Sequence, residues 1–399
     1  MSCGDEKGLD IVYTGHMLFP WGQAASRRVY GNAMSMVDGG RNVVVVSGSD
    51  EPNGINVLET HENGKCLSHI GLGTSPSGGG SPIQKAWRLL FASSSLTVRW
   101  LDAQPKLPSH VVLYGGYTPY LVRLLPWCRR NNVPLIADIV EWHDPEQLPG
   151  GKVGMTYLNY SLAMRWLYPK CDGIISISSY LSEFYKGKEC PVVQIPPTLD
   201  ILGPDRPVIK RTNSKMLKLV YAGDPGRKDL LKPVVEGMRM VDPSGANLEL
   251  TIIGPTEDQV CVACSLERVP ESGIVVLGRL PQREVSKFVQ EADFSVILRT
   301  PARFSSAGFP TKLVESMANA VPVIANLTSD IGCFLLDGED GIVCEDHSAA
   351  SFAEALQRVV KLSSDEILNM KKAAYSNSIA SFDYRNYAKP LAEFLCQIN

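Results

Sequence analysis

No uninterrupted apolar run in this 399-residue chain approaches the roughly 20 residues that a membrane-spanning helix needs, so any membrane contact is expected to be peripheral. No G-x-G-x-x-G follows the first strand-like run of either half, which argues against a dinucleotide-dependent dehydrogenase. Basic residues are not in excess: 39 Lys and Arg stand against 42 Asp and Glu, and a net charge of −3 disfavours a nucleic-acid binder. Cys261 and Cys264 form one CxxC, but no second pair or nearby His completes a four-ligand zinc site. The ten scattered cysteines read as ordinary thiols, and the opening MSCGDEKGLD carries no apolar signal-peptide core. A reducing cytoplasm is the expected compartment, with the cytoplasmic face of the membrane as a further option.

What remains is an ordinary globular composition, 44% apolar and 20% charged, long enough for two cores. Strand-like runs alternate with helix-like ones throughout, the pattern of parallel sheets covered by helices. In the first half they fall at 10–14, 42–47, 111–114, 134–140 and 173–178; in the second at 217–223, 248–254, 273–278, 293–298 and 321–326. Between the halves, VQIPPTLDILGPDRPVIKRTNSK holds four prolines and no helical period, and reads as a linker. The expected fold is α/β, with two Rossmann-like doubly wound domains facing each other across a cleft. The glycine-serine stretch GLGTSPSGGGSP at 71–82 reads as a flexible connection, with gating of an acceptor as the alternative.

Ligands of open α/β sheets collect beyond the carboxyl ends of strands, and four such loops carry unusual residues. In GHMLFPWGQAASRR, Gly22 precedes a helix starting near Ala24 and would let a ligand approach the backbone; a routine turn explains it equally well. In YAGDPGRKDLL, Arg227 and Lys228 stand near a helix start, where the dipole repels them unless an anion binds; pairing with Asp224 and Asp229 is the alternative. In VLGRLPQ, the backbone around Leu280 can meet a nucleobase edge. In SSAGFPTKLVESMANAVPVIAN, Pro310 suits the first turn of a helix, and the amides of Gly308, Phe309 and Thr311 can face an anion. Glu315 then lies within reach of sugar hydroxyls, while Lys312 either touches phosphate or pairs with Glu315 on the surface. At the end of PLIADIVEWHDP, Asp138, Glu141 and His143 crowd one strand terminus, a place for a catalytic or acceptor role.

The stretch RFSSAGFPTKLVESMANAVPVIAN resembles the donor-site signature of family 4 of the retaining, nucleotide-sugar-dependent glycosyltransferases of GT-B architecture. The resemblance extends to FPWGQAASRRVYGNAMSM, DIVEWHDP, YAGDPGRKDLL, LGRLP, ADFSVILR and FDYRNYAKPLAEFL, and so to nearly the entire chain. It implies residues 1–200 as an acceptor-side domain, 201–380 as a donor domain and 381–399 as a helix returning to the first. It implies Glu315 on the donor ribose, Arg227 and Lys228 on the diphosphate, and Gly22 beside the donor phosphates. UDP is the implied carrier, with a cell-surface glycan or lipid-linked precursor as acceptor, no cofactor and no metal, since side chains and amides would stabilise the leaving diphosphate.

Two departures from the family pattern stand out. A second glutamate expected eight residues before Glu315 is replaced by Ala307, so its sugar contacts are either absent or made elsewhere, with Arg303, Ser305 or Ser306 as candidates. A glycine before the PVIA-type strand is replaced by Ala320, which costs on the order of 1 kcal/mol if the backbone there is left-handed. Two other functions fit the same residues: a nucleotide-sugar epimerase or phosphorylase on this architecture, and a binding subunit without turnover. A peripheral membrane contact is a further expectation at YLVRLLPWCRRNN, 120–132, where a buried helix ending in cations is the alternative.

Overall fold

A computed structural model describes residues 10–20, 24–50, 54–74, 81, 87–115, 118–211, 215–226, 228–270 and 272–398. Chain contacts divide the protein into two compact units, Met1–Asp200 with Tyr384–Asn399, and Ile201–Asp383.

The first unit is built on eight strands: β1 Ile11–Gly15, β2 Val43–Ser47, β3 Asn56–Thr60, β4 Cys66–Gly71, β5 His110–Tyr114, β6 Leu135–Ile139, β7 Gly173–Ser176 and β8 Val192–Gln194. Their order is β3-β4-β2-β1-β5-β6-β7-β8. All pairings are parallel except β3 with β4. β1, β2 and β6 are buried along their whole length, as near-continuous Val/Ile/Leu runs require in a sheet covered on both faces. The apolar stripe Val29, Ala33 and Met36 of helix Ala24–Asp38 packs in the same core as Leu391, Phe394 and Leu395 of the closing helix Ala388–Gln397. Each of those three side chains contributes about 1.5–3 kcal/mol by burial. Gly173 makes room for the closing helix: a Cβ there would lie 2.3 Å from Ile398 Cδ1.

The second unit carries six parallel strands: β9 Leu217–Ala222, β10 Leu248–Ile253, β11 Ile274–Gly278, β12 Phe294–Ile297, β13 Val323–Asn326 and β14 Gly341–Cys344. Their order is β11-β10-β9-β12-β13-β14. The chain reverses its direction of travel across the sheet on leaving β11 for β12, which lands beside β9. This switch point opens a crevice beyond the carboxyl ends of β9 and β12. The α/β class with two parallel-sheet domains is thus observed.

The glycine-serine stretch lies largely outside the described residues. The 120–132 stretch is a helix, Thr118–Asn131, whose Tyr120, Leu121, Leu124, Leu125, Trp127 and Cys128 are buried. Those six side chains are core, and Arg129 and Arg130 complement the carboxyl end of its dipole. The membrane expectation for this stretch is therefore corrected in favour of a buried helix ending in cations.

Candidate functional site

The loop leaving β9 is organised by Asp229. Its main chain bridges Arg299, just beyond β12, and its carboxylate accepts from Arg299 Nε at 3.1 Å and from Lys312 Nζ at 2.8 Å. Burial alone would raise this carboxyl, but Lys312 and then Arg299 hold it below the ordinary value of 3.8. Arg299 is itself buried and pinned by Asn326 at the end of β13: its amide donates to Asn326 Oδ1 at 2.8 Å, and its carbonyl accepts from Asn326 Nδ2 at 2.9 Å. Three strand ends are thus tied around one carboxylate.

Lys312 is the second residue of helix Thr311–Ala318. Its ammonium lies 5.0 Å from the Tyr221 ring centroid and crosses the position where a side chain of Gly223 would stand. A Cβ on Gly223 would come within 2.3 Å of Lys312 Nζ. The lysine does not pair with Glu315 as a surface partner. It is held by Asp229 at the amino end of a helix whose first amides have no intrahelical acceptor. Lys312 and Arg299 carry two positive charges against one carboxylate, and the helix end adds about +0.5. Glu315, half-buried, stands one turn further along the same helix.

The remaining expected residues fall as follows. Pro310 is the N-cap of that helix and is buried, so the helix begins one residue later than its missing amide hydrogen suggested. Gly308 caps the short helix Arg303–Ala307 in extended conformation. The Phe309 ring is core, edge-on to Phe334 and Phe382 with centroids at 5.6 and 6.1 Å, which leaves only its main chain for a ligand. Ala307 is fully buried, and the buried hydroxyl of Ser305 has no hydrogen-bond partner among the described residues. Leu280 packs beside Val289 and Val321, so the backbone is what it can present. A cavity of about 660 Å³ adjoins this edge, lined by Asp224, Gly226, Leu231, Val262 and Arg279.

Lys228 is half-buried in the same loop; Arg227 and Gly22 lie outside the described residues. For Lys228 the expectation of a place beside free helix amides is corrected: the next helix starts only at Lys232, after the Asp229 bridge and a turn closed by Gly226 N to Asp229 O at 3.0 Å.

At the end of β6 the three ionisable residues separate. Asp138 is fully buried and holds Arg28 at 2.8 Å, the Tyr13 hydroxyl at 2.5 Å and Asn32 Nδ2 at 3.3 Å. Arg28 also donates to the carbonyls of Ile195 and Pro196. With its oxygens consumed inside the core, Asp138 is corrected from a group that meets substrate to one that fixes strand, helix and following chain. Arg28 and Asn32 were not singled out from sequence, although both recur on the buried stripe of their helix, one turn apart. Glu141 and His143 remain at the surface, joined at 2.8 Å, with the imidazole edge-on to Tyr160. Trp142 between them is core, packed on Phe184. No group of three or more His, Cys, Asp or Glu able to hold a metal occurs among the described residues.

Solved structures share this architecture over almost the entire chain. Sucrose-phosphate synthase from Thermosynechococcus elongatus superposes with a TM-score of 0.70 at 14% identity, covering 98% of this chain and 99% of that one. Anabaena HepE in complex with UDP and glucose gives 0.65 at 13% identity, covering 98% and 100%. The fold is GT-B. Residues 207–377, most of the second unit, match the family model described as Glycosyl transferases group 1.

Among curated relatives, the putative colanic acid biosynthesis glycosyltransferase WcaL of Escherichia coli K12 is 24% identical over 246 residues, 59% of each chain. Its Salmonella typhimurium counterpart is 22% identical over 244 residues. The match spans 59% of the length of each WcaL protein.

Proposed function

We propose that this protein transfers a sugar from a nucleoside diphosphate donor, a UDP-sugar, to a glycan or lipid-linked acceptor during polysaccharide synthesis, with retention of anomeric configuration. The observation that carries the reading is Lys312, held by Asp229 at the amino end of the Thr311–Ala318 helix with Glu315 one turn on. An anion at that helix end meets a lysine and oriented amides, and a carboxylate at Glu315 accepts from ribose hydroxyls. The names of the relatives support the process, and the UDP in HepE supports the carrier.

In this reading the diphosphate is the leaving group. Lys312, Lys228, Arg227 and the helix amides stabilise the charge it develops, with no metal needed for that task. Gly308 and Thr311 offer main chain to the phosphates, Arg303 reaches the sugar, and the backbone at Leu280 faces the base. Gly22 would give the donor phosphates room at the backbone. Glu141 and His143, exposed beyond β6, meet the acceptor, and Asp138 positions the strand that carries them. The neutral Ala307 removes one carboxylate from the sugar contacts.

Titration calorimetry with UDP tests the donor site. Glu315→Ala and Lys228→Ala are each expected to weaken binding at least tenfold; unchanged affinity in both folded variants rejects it. Product analysis after incubation with UDP-sugars tests the reaction, and an epimerised sugar released without transfer would favour the epimerase instead.

A further inference from the structure

A chain with a net charge of −3 nevertheless has a strongly cationic, apolar face in its first unit. Helix Met155–Leu162 continues through the turn Ala163–Leu167, and along it Met155, Leu158, Leu162 and Trp166 stand in the solvent at i, i+3, i+7 and i+11. Met155 is 80% exposed and Trp166 66%. That spacing is one stripe of a helix, a stripe that normally faces a core. None of the described residues of the first unit covers it.

A second exposed aromatic pair, Trp87 and Phe91, lies one helical turn apart before helix Ser93–Asp102. Both stretches flank helix Thr118–Asn131. Arg123 sits over the Phe91 ring at 5.8 Å on one side, and Thr118 Oγ1 donates to the Asn159 carbonyl at 2.9 Å on the other. The exposed side of the intervening helix adds Val122.

The charges around these side chains are predominantly positive, with Asp102 held by Trp127 and Glu141 by His143 at the margins. Residues 103–131 and 152–170 contain no Asp or Glu, yet hold Arg123, Arg129, Arg130, Lys152, Arg165 and Lys170. Exposed tryptophans, a methionine and leucines in a field of Arg and Lys match an anionic bilayer surface: the apolar side chains enter the acyl boundary while the cations meet phosphate headgroups. A protein partner of ordinary composition would leave those cations unanswered.

We propose that this face docks the protein on an anionic lipid bilayer through Met155, Leu158, Leu162, Trp166, Trp87 and Phe91. The surface belongs to the first unit alone and is read without reference to the donor loops, so it stands or falls separately from sugar transfer. It also displaces the contact from the buried leucines of 120–132 to side chains that reach solvent.

Vesicle flotation tests it with the full chain. Binding is expected to phosphatidylcholine vesicles containing phosphatidylglycerol, to weaken with salt, and to fall at least tenfold on pure phosphatidylcholine. Met155→Glu with Trp166→Glu should abolish it at an unchanged melting temperature, because both side chains are already exposed. Lys152→Glu with Arg165→Glu, which touches no apolar group, should weaken it at least tenfold as well. The proposal is overturned if the wild-type chain does not float with anionic vesicles, if both double variants still float, or if the face instead joins two copies of the chain. The last outcome would appear as a dimer that Met155→Glu with Trp166→Glu dissociates.

Discussion

Lys312 Nζ lies 2.8 Å from Asp229 Oδ2, across the bare Cα of Gly223. The relationship depends on there being no side chain at residue 223, where φ is +135° and a Cβ would occupy the ammonium's place. Gly223→Ala therefore suffers twice, by backbone strain and by eviction of Lys312. The expected result is a stability loss of more than about 1 kcal/mol in chemical unfolding, with UDP affinity falling in parallel. Loss of stability with full affinity would show that Lys312 does not need its present position to hold the donor.

Asp229 also sets a pH dependence. Its carboxyl is held below the ordinary 3.8 in the folded chain by Lys312 and Arg299, against the opposing effect of burial. A depressed carboxyl stabilises the fold fully above its unfolded value, and that contribution is lost as pH falls through the folded value. Stability of the wild-type chain should therefore drop below about pH 4, more steeply than that of Asp229→Asn. Guanidinium melts at a series of pH values compare the two slopes; equal slopes would remove Asp229 from the account.

Arg28 and Asp138 form an ion pair with side chains 3% and 0% exposed. Arg28→Met leaves Asp138 buried with Tyr13 and Asn32 and no positive charge. Breaking a buried pair from one side costs about 3–5 kcal/mol. The pair belongs to the first unit, whereas Lys312 and Glu315 belong to the second. The variant should accordingly melt much earlier, while its UDP affinity, measured at a temperature where it stays folded, is unchanged. A loss of under 1 kcal/mol would mean that water or a shifted side chain replaces the guanidinium.

These networks mark where the reading from residues succeeded and where it stopped. Runs such as VVVV at 43–46 and LELTII at 248–253 are apolar, short and bounded by turn residues, and they are strands within a residue or two. β3, NVLET, is mostly exposed at the sheet edge and has only Val57 and Leu58 as an apolar signal, and β8 spans only three residues. In the site, helical spacing put Lys312 and Glu315 near one helix end. What it could not supply was the partner: Asp229 is 83 residues away and is brought in by β9 and β12 pairing side by side. Local spacing favoured Glu315 as the neighbour of Lys312, and tertiary structure overrode it. Asp138 failed for a related reason. A carboxylate at a strand end reads alike whether it faces solvent or a buried arginine 110 positions earlier.

Ala320 supplies the last prediction. It follows Asn319, the C-cap of the Glu315 helix, with φ of +58°. Its amide donates to Met317 O and that of Val321 to Ser316 O, both at 2.9 Å. This is the paired 5→2 and 6→1 arrangement that ends helices with a left-handed residue, a place glycine fills without strain. An L-residue there costs roughly 1–2 kcal/mol. Glycine regains that energy but gives back about 0.4–1 kcal/mol through the freedom of the unfolded chain. Ala320→Gly should thus stabilise the protein by about 0.5–1 kcal/mol, or a rise of about 1–4 °C for a unit of this size. The helix keeps its register in either case, so UDP affinity should not change. Calorimetric melting with and without UDP reads both quantities. A lower melting temperature would mean that the buried methyl of Ala320 contributes more by packing than its backbone costs.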